Sequence, residues 1–143
     1  MKIITVKKRE IQTLLLESII SNEPTLLKLD LQGAEIMALN GGINILKQSK
    51  EMVILCEASL FRFYKSDKIK IDSLIKFFDS INYEIYDIYG ASYRPIDNAM
   101  AQIDIVFCHK ESILNSSNIY ANTEMRKQHN DNYYKKHKKI GAL

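Results

Sequence analysis

The chain has 143 residues, 46% of them hydrophobic and 26% charged, with a net charge of +3. That is enough for one domain with a real core and too little for two. The longest apolar run, Met52 to Cys56, falls far short of the roughly 20 residues of a membrane-spanning helix. Only four uncharged residues separate Lys2 from Lys7, where a signal peptide would carry an apolar region of about 7–15. A cytoplasmic protein is expected, with Cys56 and Cys108 reduced and structural.

Lys2 to Val6 is a β-branched run that predicts a strand. From Arg9 to Ile20, apolar Ile11, Leu14, Leu15 and Ile19 fall on one helix face, and Pro24 closes the connection that follows. Thr25 to Leu31 predicts a buried strand. Glu35 to Gln48 predicts a helix interrupted at Gly41-Gly42, where a kink or restart is expected. Met52 to Ala58 predicts another strand, and Ile71, Leu74, Ile75, Phe78 and Ile81 trace an amphipathic helix. Tyr83 to Tyr89 alternates as a strand. A polar connection from Gly90 to Asn98 leads into the last strand, Ala101 to His109.

Strands alternating with helices imply a parallel sheet, and the last two strands, joined without a helix, suggest an antiparallel pair at one edge. After Glu111 the composition turns to Asn, Ser, Lys and Tyr. From Lys110 onward seven cations face three acids, so the segment is +4, while residues 1–109 carry 13 cations and 14 acids. Residues 111–143 therefore read as a basic polar tail, partly disordered or helical. Its Tyr133 to Lys139 run interleaves aromatics with cations, a pattern able to meet phosphates, although a solubilising terminus is the default and a nucleic-acid partner is not expected.

Candidate chemistry gathers around Leu26 to Glu35. In an open α/β sheet, ligands lie at the carboxyl ends of strands, where Asp30 falls; as a structural residue it would instead cap the next helix. Gln32 and Gly33 form the turn, and Gly33 relieves its backbone strain. Glu35 belongs in the first helical turn, favoured there by the helix dipole. Glu57 sits at the mouth of the Met52 to Ala58 strand. Arg94 offers a bidentate clamp for an anion, against its ordinary role as a solvated loop arginine. The histidines show no metal-ligand or triad spacing.

The run Leu27-Lys28-Leu29-Asp30-Leu31-Gln32-Gly33-Ala34-Glu35, then Leu39 and Gly41, Ile54-Leu55-Cys56-Glu57, Phe78 to Tyr86 and Gln102 to Phe107, resembles the FkbM-type methyltransferases over residues 1 to about 110. The resemblance implies an S-adenosylmethionine-dependent enzyme that methylates a hydroxyl on a sugar-like or polyketide-like small molecule. It implies a partial Rossmann-like sheet within residues 1–110, mostly parallel, with an antiparallel C-terminal edge strand. Asp30 would act on the acceptor hydroxyl and Glu57 would orient it. Gln32, Gly33, Glu35 and Arg94 would stand near substrate or cofactor. No glycine-rich cofactor loop precedes Asp30, so the reading is of a truncated domain. Its open sheet edge invites a homodimer or a companion chain. The rival reading is a non-catalytic fragment or interaction module with a basic tail.

Overall fold

The computed structural model describes residues 13–20, 25–61, 70–117, 119 and 121–138, with side chains through 135. The expected strand at Lys2 to Val6 and the first turns of the helix from Arg9 lie outside the described residues. Met1–Ser112 and Ile113–Leu143 are two separate compact units. In the second unit, a 3-10 turn (Ile113–Asn115) precedes helix α5 (Thr123–Lys138), whose described side chains are all exposed.

The first unit is α/β. Helix α1 is Leu16–Ile19 and strand β1 is Leu26–Leu29. The expected long helix splits into α2 (Glu35–Asn40) and α3 (Ile43–Gln48) at Gly41-Gly42. The glycines have a packing reason: a Cβ on Gly42 would stand 2.8 Å from Leu16 Cδ2. The Glu17 N–H donates to the Gly41 carbonyl at 3.0 Å, so α1 is docked on the break itself. Strand β2 (Val53–Ser59), helix α4 (Ile71–Ser80), strand β3 (Tyr83–Tyr93) and strand β4 (Met100–His109) complete the unit.

The sheet order is β1-β2-β4-β3. Strand β1 pairs parallel with β2, in the register Leu29 to Cys56, and β4 is antiparallel to both β2 and β3. Two sequence expectations are corrected here. One pairing of three is parallel, so the sheet is mixed, not mostly parallel, among the described residues. The antiparallel C-terminal strand is also not at the edge: β4 slots between β2 and β3, and β3 takes the edge. The physical reason is the short Arg94 to Ala99 reversal, closed by Arg94 N–H to Ala99 O at 2.8 Å, which returns the chain beside β3 on the side toward β2. Strands β1, β2 and β3 nevertheless all point the same way, because β2 and β3 oppose the same strand.

Both crossovers, β1 to β2 and β2 to β3, progress in one direction across the sheet. Right-handed connections then put α2, α3 and α4 on one face. That face holds the core: Leu39, Leu46, Leu74 and Phe78 pack on Ile54, Cys56, Ile103, Ile105 and Phe107. Phe78 stacks on Phe107 with ring centroids 3.9 Å apart. Buried Tyr83 donates its hydroxyl proton to the Leu46 and Ser49 carbonyls at 3.1 and 2.7 Å, tying β3 to the end of α3. On β2, buried residues alternate with half-buried ones, and Glu57 belongs to the half-buried set. The face away from α2, α3 and α4 therefore carries Val53, Leu55, Glu57 and Ser59 of β2.

Candidate functional site

Because β1 and β2 are parallel neighbours, their carboxyl ends lie side by side, and Asp30 stands one residue past the end of β1. The chain then turns through Gln32 (φ 52°) and Gly33 (φ 98°). Glycine adopts such a conformation freely, whereas a non-glycine residue in the left-handed region costs about 1–2 kcal/mol. Strain of this kind persists where the surroundings over-determine it, and here two contacts do so.

The first is Glu35. Its side chain is buried, 4% exposed, and Oε1 accepts the Leu31 N–H at 3.0 Å and the Gly33 N–H at 3.1 Å. The carboxylate folds back from the first turn of α2 and holds the loop shut. The second is the Gln32 side chain. Its Nε2 donates to Asp30 Oδ1 at 2.8 Å and to Glu57 Oε2 at 3.0 Å. One amide nitrogen thus bridges two carboxylates from adjacent strands. Burial, then the nearby charge and hydrogen bond of Asp30, then the charge of Asp104, hold the Glu57 carboxyl above its usual range, against the lowering effect of Gln32.

Gln32, Gly33, Glu35 and Glu57 line a narrow cleft with Ser59, Lys70 and the start of α4. Its free volume is about 10 Å³, the space of a single water. The carboxylate pair can accept hydrogen bonds from a hydroxyl and take its proton. Among the described residues no group of acids, cysteines or histidines is arranged to hold a metal.

Arg94 stands apart from this cluster. Its Nε donates to Asp97 Oδ1 at 3.0 Å, its Nη2 pairs with Asp97 Oδ2, and the guanidinium lies over the Phe61 ring, 4.8 Å from the centroid. Asp97 is held below the usual carboxylate range by the Ala99 amide and then by Arg94. The arginine staples the β3–β4 reversal and does not line the cleft. His109 is equally structural: it is buried, its Nδ1 accepts the Glu111 N–H at 3.1 Å, and its ring meets Tyr83 edge-on.

Asp104 escapes sequence reading. It lies directly opposite Glu57 in the β2–β4 register, so the two side chains share a face. The available signal was a polar residue at an alternate position between inward-facing Ile103 and Ile105, but its meaning depends on a register that only the fold supplies.

Residues 1–87 match the family model described as the methyltransferase FkbM domain. That span takes in β1, the turn, β2 and α4, and stops short of Asp104. No curated protein and no solved structure matches the chain.

Proposed function

Since the chain belongs to the FkbM methyltransferase family, we propose that it takes part in S-adenosylmethionine-dependent O-methylation of a hydroxyl on a sugar-like or other small metabolite. The observation that carries the reading is the Gln32 amide bridging Asp30 and Glu57 at adjacent parallel strand ends. Methyl transfer to oxygen requires the acceptor hydroxyl to be aligned and to lose its proton. A carboxylate within hydrogen-bond reach can accept that proton. Asp30, exposed at the rim, is the base. Glu57 orients the acceptor, and Gln32 fixes both carboxylates.

The described residues do not fit the cofactor by themselves. Among the described residues the cleft, with a free volume of about 10 Å³, has no room for a nucleoside. The described residues therefore supply the acceptor side of the reaction. The donor side needs a further segment against β1, which pairs only with β2 among the described residues. A second copy or a companion chain adding a strand there would complete the partial Rossmann-like sheet.

Calorimetric titration with S-adenosylhomocysteine, run with a measurement of oligomeric state at low and high salt, tests the cofactor half. Saturable, salt-resistant binding that tracks association supports it, and a folded, associated chain that binds nothing rejects it. For the acceptor half, labelled methyl transfer to a panel of mono- and disaccharides should fall about 10²–10⁴-fold in Asp30→Asn. Full turnover by that variant removes Asp30 from the chemistry.

A further inference from the structure

On the face away from α2, α3 and α4, three carboxylates stand on three neighbouring strands: Asp30 past β1, Glu57 on β2 and Asp104 on β4. What holds Asp104 there lies one strand further on. Gly90, on β3, has φ +65°, and a Cβ placed on it would stand 2.3 Å from Asp104 Oδ2. The Asp104 carboxylate thus occupies the volume that any other residue at 90 would fill, and β3 breaks its register between Tyr89 and Ser92 beside it. A seat cut into the neighbouring strand fixes a side chain more firmly than an open sheet surface would.

From that seat Asp104 acts unequally on the two acids of the pair. Its backbone is one strand from Glu57 and two from Asp30, about 5 Å against about 10 Å in strand spacing, and its carboxylate leans toward β3. A fixed negative charge disfavours ionisation of the nearer acid more than the farther one. We infer that Asp104 is a positioning residue for the Asp30–Glu57 pair: its charge, directly opposite Glu57 in the sheet and a strand farther from Asp30, makes Glu57 the acid of the two that keeps a proton. The inference rests on the proposed function for its use, but not for its test. Among the described residues, the other charged groups near Glu57 are Lys28 on β1, Glu35, whose Oε1 is bound to amides, and Lys70 at the start of α4. None of these sits opposite it in the sheet register.

The test is a side-chain carboxyl NMR titration of the full chain. In Asp104→Asn the Glu57 midpoint should fall by roughly half to one pH unit. Asp104→Ser, smaller and also neutral, should reproduce the shift without crowding Gly90. A Glu57 midpoint unchanged in either folded variant overturns the inference. So does failure of both variants to fold, which would make Asp104 a purely structural residue. Where methyl transfer is measurable, the alkaline limb of its pH profile should move down by the same amount as the Glu57 midpoint. Absence of transfer in the wild-type chain would count against the proposed function while leaving the titration result intact.

Discussion

Replacing Glu35 separates scaffolding from chemistry within a single motif. Its Oε1 accepts two backbone protons, from Leu31 at 3.0 Å and Gly33 at 3.1 Å, inside a side chain 4% exposed. Glu35→Ala leaves both amides without this acceptor in a part-buried loop. Hydrogen bonds to a charged group contribute about 1.5–3 kcal/mol each. The two bonds share one oxygen, so the expected loss is about 2–4 kcal/mol. Glu35→Gln keeps a carbonyl oxygen in the same place and loses only the charge, so it should cost about 1 kcal/mol or less. For a unit of this size, the alanine variant should melt about 10–15 °C below wild type, with urea midpoints in the same order. The turn also carries Gln32 at φ 52°, so its loosening should release the amide bridge as well. An alanine variant within about 0.5 kcal/mol of wild type, or a glutamine variant as damaging as alanine, refutes this account of the loop.

Three further outcomes follow. Glu57 is held above its usual range by burial and by Asp30, so the folded chain binds that proton more tightly than the unfolded one. Stability from this group is full below the unfolded value and falls as pH rises through the raised one. Urea midpoints of Glu57→Gln relative to wild type should therefore drift upward from pH 4 to pH 7.5, and a drift in the opposite direction rejects the assignment. Gly90→Ala should destabilise by about 1–2 kcal/mol from its φ alone, with more from the clash against Asp104. Adding Asp104→Ala should recover the clash but not the φ component, as a double-mutant cycle in chemical denaturation will read. Cys56 is fully buried and its thiol is pushed up to about 12 by burial and then by Glu35. Cys108 is also buried, so a thiol reagent should label neither cysteine in the native state and both in urea; rapid native labelling contradicts the packing.

Element types were legible where burial is one-sided and local. The spacing of Ile71, Leu74, Ile75 and Phe78 announces α4, and the Gly41-Gly42 break is visible before its purpose, the docking of Leu16, is known. Sheet order was less legible, because the position of β4 depends on pairing between distant segments. A strand of alternating Ile103, Ile105 and Phe107 reads the same at an edge or in the middle. The length of β3 was underestimated for a related reason. Gly90 reads as a strand breaker from sequence, but here it admits a neighbour's carboxylate while the strand runs on to Tyr93.

The candidate site divides along a line that composition cannot draw. Asp30 and Glu35 are acids five residues apart in one motif, and each has a helix-capping role and a chemical role open to it. Direction decides between them. Glu35 lies inside the helical register, points back under the loop and commits Oε1 to two backbone amides in a buried position. Asp30 lies before the turn, makes no cap, and is bound by a side-chain amide that also holds Glu57. A carboxylate that holds one neutral donor has lone pairs left for a second. Arg94, which the sequence offers as an anion clamp, is paired with an acid three residues along its own turn. The proposed chemistry thus rests on residues whose partners come from other strands, because only the assembled sheet brings those partners within reach.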